Sequence, residues 1–314
     1  MINLKKIGLT ALAASLVATS AFAGEMSVSG GASIGVKNTT GTNDPSTGKS
    51  FTMGNQLDFA GSGELDNGLT VSLAFELDNA AEAGGGPFDN HSVTISSDAL
   101  GTFKFSGEGG SSAQGAMDAG AAGDLWDNGT GVAEIAGAAA GDNSMFYTLP
   151  EVMEGVSITA SMSPGGAAQE THTSFGIAYT GVEGLTVKYA VGDSGAPADV
   201  VESTTMYASY AIGSFTVAVS NTQADNGNIT TADREVDSYQ IAYTVSDDIS
   251  VTYGQDTFDL TGNAVDEEAE GFGISYTAGG MTLTAKSQEA DGISHTTAAN
   301  EDYDYWSLGL AFAF

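Results

Sequence analysis

Apolar and polar residues alternate with a period of two along most of the chain, the pattern of strands with one face polar and the other apolar. The first such run places Met26, Val28, Gly30, Ala32, Ile34 and Val36 on one face and Ser27, Ser29, Gly31, Ser33, Gly35 and Lys37 on the other. A second clear run sets Leu69, Val71, Leu73, Phe75 and Leu77 against Thr70, Ser72, Ala74, Glu76 and Asp78. The alternation returns at Phe175–Ile177–Tyr179, Leu185–Val187–Tyr189–Val191, Phe215–Val217–Val219 and Tyr239–Ile241–Tyr243–Val245. It ends with Trp306, Leu308, Leu310, Phe312 and Phe314.

The connections between runs are of two kinds. Short turns are expected at 66–68, 98–101, 149–155, 181–184, 212–214, 246–248 and 278–280, with the Gly, Asn and Asp that tight hairpins use. Longer segments rich in Gly, Asn, Asp and Thr lie at 38–52, 79–91, 107–142, 164–173, 192–203, 223–236, 258–269 and 289–302. Seven turns and eight loops make fifteen connections and therefore sixteen strands. No stretch after the first turns of the chain is apolar for long enough to cross a bilayer as a helix. The remaining way to span is a closed barrel, which satisfies every backbone group between strands. The expected fold is all-β: a 16-stranded antiparallel transmembrane barrel with short turns at one end and long loops at the other. Sixteen strands leave an aqueous lumen. Tyr147, Tyr179, Tyr210, Tyr243, Tyr276 and Phe314, all near short turns, form one interfacial aromatic girdle.

The beginning of the chain sets the compartment. Lys5 and Lys6 precede an uncharged apolar stretch from Ile7 to Ser20, and Ala21-Phe22-Ala23 is a small-x-small cleavage site. Residues 1–23 therefore read as a secretory leader, and 24–314 as one barrel domain. There is no cysteine, so an exported disulfide scaffold is excluded. Eight basic residues face 40 acidic ones, a formal charge of −32. Such acidity argues against nucleic acid and suits a surface that attracts cations.

The carboxyl-terminal run Tyr303-Asp304-Tyr305-Trp306-Ser307-Leu308-Gly309-Leu310-Ala311-Phe312-Ala313-Phe314 resembles the assembly signal of outer-membrane barrels, with Trp306, Leu308, Leu310, Phe312 and Phe314 as its outward row. The block Ala99-Leu100-Gly101-Thr102-Phe103-Lys104-Phe105-Ser106-Gly107-Glu108 resembles the strand that enters the constriction loop of general-diffusion porins, and Asn143-Ser144-Met145-Phe146-Tyr147-Thr148 the strand that leaves it. With the architecture of the whole mature chain, this resembles the Gram-negative general-diffusion porins, nearest the short acidic porins of α-proteobacteria. The resemblance implies a homotrimer in the outer membrane, in contact with lipid and lipopolysaccharide and inserted by the barrel-assembly machinery. It implies a third loop folded inward, which would give the long segment 107–142 a role. Two features depart from the family: only Arg234 stands for the arginine cluster that lines many porin eyelets, and the enteric acidic Pro-Glu-Phe segment is absent.

Other motifs carry less. Gly31-Ala32-Ser33-Ile34-Gly35 spells G-x-S-x-G but lies within an alternating strand, without the helix a nucleophile elbow needs, so no catalysis is expected. His91, His172 and His295 lack metal-ligand spacing and read as solvated surface residues. The acidic residues from Asp256 to Glu270 read as solvated loop charge. No cofactor is expected, with Asp124 and Asp127 as the pair that could hold a structural Ca²⁺.

Strand parity assigns the lumen. With Phe103 and Phe105 turned to lipid, Lys104 faces inward, and the same reasoning turns Lys37, Lys188 and Lys286 inward. Asp58, Glu64 and Glu76 face inward as well, and Asp118, Asp124, Asp127 and Glu134 lie on the candidate constriction loop. The expected function is a water-filled channel for passive diffusion of ions and small hydrophilic solutes, with a preference for cations. The alternatives are a substrate-selective channel and, from another class, a soluble acidic β-rich surface or adhesin protein.

Overall fold

A computed structural model describes residues 26–41, 48–78, 89–117, 141–165, 171–196, 199–227, 233–295 and 302–314. The strands are β1 (Met26–Thr40), β2 (Gly48–Glu64), β3 (Thr70–Asp78), β4 (Asn90–Ser97), β5 (Gly101–Glu108), β6 (Ser144–Thr148), β7 (Val156–Ser163) and β8 (His172–Tyr179). Then follow β9 (Leu185–Ala196), β10 (Asp199–Ile212), β11 (Phe215–Asn226), β12 (Arg234–Ser246), β13 (Ile249–Leu260), β14 (Glu267–Ala278), β15 (Met281–Asp291) and β16 (Tyr303–Ala313). Each strand pairs antiparallel with its neighbours in the chain, and β1 pairs with β16, so the sheet closes into a sixteen-stranded barrel. No helix among the described residues is long and apolar enough to cross a membrane.

The period-two pattern becomes a division between two surfaces. On β14, Phe272, Ile274 and Tyr276 stand 39–50% exposed on the outside, whereas Ala269 on the inward row has no exposed surface. Leaving a side chain of that size in water costs roughly 1.5–3 kcal/mol, so a surface tiled this way needs hydrocarbon against it. Of the expected aromatic girdle, Tyr179, Tyr210, Tyr243, Tyr276 and Phe314 are exposed next to short turns, whereas Tyr147 is half-buried and its hydroxyl donates to the Leu100 carbonyl. The glycines of those turns serve two needs. Gly101 has φ +75°, and a Cβ there would lie 2.3 Å from the carbonyl oxygen of Thr148.

Four expectations are corrected. The segment 192–203 is not a long loop: β9 runs to Ala196 and β10 begins at Asp199, so both strands continue through it. Arg234 is the first residue of β12, paired with Ala224 and Leu260, rather than a loop residue. The acidic stretch from Asp256 to Glu270 is mostly strand, and Asp256 and Glu267 are buried on the inward rows of β13 and β14. His295 is buried in a single 3-10 turn, Ile293–His295, rather than solvated. Its Nδ1 lies 2.9 Å from the Val265 carbonyl oxygen, its Nε2 3.7 Å from a Glu267 oxygen, and its ring packs on Phe258.

These corrections share a cause. Ala269, Ala290, Ile293 and Tyr303 form one apolar cluster, and Ala224, Phe258, Val201 and Val236 another, at the loop ends of β10–β16. Here the inward face is packed, while the outward row carries Gln255, Glu270, Glu289 and Asp304 in register. Above the lipid edge, polarity inside and out is reversed.

Candidate channel lumen and constriction

Backbone register places the inward side chains. On one wall, Lys37 of β1 and Lys286 of β15 both stand opposite Ser307 of β16. Two strand spacings separate their backbones, about 10 Å. Both lysines line a cavity of about 400 Å³ together with Thr52, Gln288, Tyr305 and Ser307. Its wall is made of hydroxyls, amides and ammonium groups, the groups that replace part of a solute's hydration.

The next wall, β2–β5, is of mixed sign. Asp58 and Glu76 are directly paired across β2 and β3. The Gln56 amide donates to Asp58 Oδ2 at 3.1 Å and the Asn90 amide to Glu76 Oε2 at 3.2 Å, so neutral donors orient both carboxylates. Lys104 shares with them a cavity of about 210 Å³ that also includes Ser106 and Glu108. Glu64 occupies the same inward row as Asp58, at the end of β2 next to the short turn, where it is exposed. Lys188 faces the lumen from β9 with its ammonium 4.8 Å over the ring of Tyr207, a cation–π contact that holds it against the wall.

The root of the third loop lies inside the barrel. Ser112, Ala113, Gln114 and Met117 are buried, and the partners of 113 and 114 are inward groups of β7, β8 and β10. The Ala113 amide donates to Ser161 Oγ at 2.9 Å and the Gln114 amide to Ser174 Oγ at 3.2 Å. Asp118, Asp124, Asp127 and Glu134 lie outside the described residues, and with them the carboxylates offered for Ca²⁺. Among the described residues, Glu76, Asp78 and Asp89 bring carboxylate oxygens within 4.8 Å of one another, a spacing a divalent cation could bridge.

The outward row of β16 is also as expected: Trp306, Leu308 and Phe312 are exposed, and Leu310 pairs with Ile34 and Leu283 on the same face. Register puts Lys37, Asp58, Glu64, Glu76, Lys104, Lys188 and Lys286 on the inward rows that parity assigned to them. Parity missed Gln114 and Tyr207. An aromatic on an inward row with a lysine opposite was a usable signal for the second. Nothing local marked the first.

The sequence matches the Gram-negative porin family over residues 8–313. No curated protein matches it. The fold is similar to that of an anion-selective porin from Comamonas acidovorans, with TM-score 0.67, 15% identity, and 92% of this chain and 99% of the other covered. It is similar to a mutant of the Rh. blastica porin, with TM-score 0.69, 15% identity, and 92% and 100% covered. A loop-deletion mutant of the outer membrane protein OmpT of Vibrio cholerae gives TM-score 0.69 at 16% identity, with 93% and 100% covered.

Proposed function

Because the chain belongs to the Gram-negative porin family, we propose that it is a passive channel of the outer membrane for ions and small hydrophilic solutes, with a preference for cations. The observation that carries this is the division of each strand: apolar side chains outward, and hydroxyls, amides and charges inward around open cavities. Diffusion down a gradient needs no catalytic residue and no cofactor. The lysines and carboxylates set the sign of the selectivity. Lys104 shares a cavity with Asp58 and Glu76, Lys37 and Lys286 line the neighbouring wall, and on this reading Asp118, Asp124, Asp127 and Glu134 add the carboxylates of the third loop. Lys188 counts for less because it sits over Tyr207. With 40 acidic residues against 8 basic ones in the whole chain, the potential at the mouth is negative and enriches cations.

The same reading takes residues 1–23 as a leader removed on export, and the mature chain as a homotrimer inserted by the barrel-assembly machinery among lipid and lipopolysaccharide. Reversal potentials of the purified protein in planar bilayers under a salt gradient test the selectivity. The expected sign is cation preference, weakening as salt rises and the Debye length falls below about 10 Å. Anion preference at low salt would mean that Lys37, Lys104 and Lys286 control the narrowest point.

A further inference from the structure

We propose that Gln114 is the positioning residue of the third loop, a neutral latch that fixes the root of the loop against the inward face of β10. The proposal rests on the reading of the barrel as an open channel. The segment after β5 is poor in anything that would give it direction: Gly107, Gly109, Gly110 and Gly115 surround Ser111 and Ser112. Gln114 is nevertheless buried with no exposed surface. Its Oε1 accepts a hydrogen bond from Ser203 Oγ at 2.7 Å, and its Nε2 donates to Thr205 Oγ1 at 3.2 Å.

Ser203 and Thr205 are two residues apart on β10, hence on the same face. Their spacing offers a primary amide one donor and one acceptor at once, and a side chain with a single function would meet only one of the two hydroxyls. The seat extends on both sides. Thr205 Oγ1 lies 3.2 Å from Thr222 Oγ1 on β11, and Ser161 and Ser174, which hold the backbone of 113 and 114, are themselves 2.7 Å apart. Between them the inward rows are reduced to Gly176, Ala190 and Gly192, which opens the hollow the amide fills. A Cβ on Gly176 would lie 2.9 Å from Met117 Cγ, so the loop also packs there.

The contacts give the course of the root. Its amides meet Ser161 of β7 and Ser174 of β8, and the Gln114 side chain then reaches β10, so the root lies along the inward face of β7–β10. Lys37 and Lys286 line a separate cavity on β15, β16 and β1. All the hydrogen-bonding side chains of the latch are uncharged amides and hydroxyls, so the root has no titrating group of its own.

The test uses the full mature protein in planar bilayers, with Gln114→Ala, Ser203→Ala and the double variant. Each net hydrogen bond holds the seated state by roughly two- to tenfold, so each single change should add a higher-conductance, noisier population. The double variant should be no worse than Gln114→Ala alone, because Gln114→Ala already removes the bond to Ser203. Heat-modifiable gel migration reports whether the barrel itself is intact. Unchanged conductance and noise in a native Gln114→Ala barrel would overturn the latch, and so would effects that simply add. Should Gln114→Ala fail to assemble, Ser203→Ala, which leaves the loop sequence intact, decides. A wild-type protein that does not conduct would instead overturn the channel reading.

Discussion

Phe314 shows how much one residue does in a closed sheet. Its amide donates to the Gly30 carbonyl at 3.0 Å and its carbonyl accepts from the Gly30 amide at 2.8 Å, completing the β1–β16 seam. Its ring lies over Gly30, where a Cβ would come within 2.8 Å of the ring edge. Gly30 therefore leaves room for the Phe314 ring of its own chain. Deleting Phe314, or Phe314→Asp, should lower the amount of protein in the outer-membrane fraction and leave precursor to be degraded. Normal levels by immunoblot would count against the carboxyl-terminal signal. Gly101→Ala meets both a positive φ and the Thr148 carbonyl, and should lower barrel stability by about 1 kcal/mol or more, read as a shifted midpoint of urea unfolding.

At the scale of strands, the lumen is two walls of different sign. β15, β16 and β1 present Lys37 and Lys286 on either side of Ser307, whereas β2 and β3 present Asp58 and Glu76. Removing both Lys37 and Lys286 charges by alanine should raise the cation-to-anion permeability ratio. Lys188→Ala should change it less, because that ammonium already lies over the Tyr207 ring. Equal effects from the two changes would mean that Tyr207 does not mask Lys188. Asp124→Asn with Asp127→Asn should move reversal potentials toward anions, and no movement would put the constriction elsewhere in the lumen.

For the whole molecule, the outward face of β1–β3 is the surface on which assembly can be tested. Gly61 leaves open space beyond its Cα, and around it Met26, Phe59, Leu73 and Phe75 line an apolar hollow of about 410 Å³. Small residues let a second backbone approach closely, which suits closed threefold symmetry. Leucine at both Gly61 and Gly63 should weaken the trimer on native gels without loss of heat-modifiable monomer. An unchanged trimer would place the interface on other strands.

The sequence by itself determined the fold class, the number of strands, the outward row of β16 and the inward placement of Lys37, Asp58, Glu64, Glu76, Lys104, Lys188 and Lys286. All of these follow from strand parity, a property of neighbouring residues in contact with two different solvents. Parity lost its meaning above the lipid edge. There the outside is water-facing and carries Gln255, Glu270, Glu289 and Asp304, so strands continue by backbone pairing where the hydropathy signal has ended, as in 192–203. The buried His295 and the seat of Gln114 were likewise decided only by tertiary structure. His295 meets a carbonyl 30 residues away, and Gln114 meets hydroxyls 89 and 91 residues away. No local pattern encodes such a meeting, because only the curvature of the closed barrel brings the inward face of β10 within reach of the chain that leaves β5.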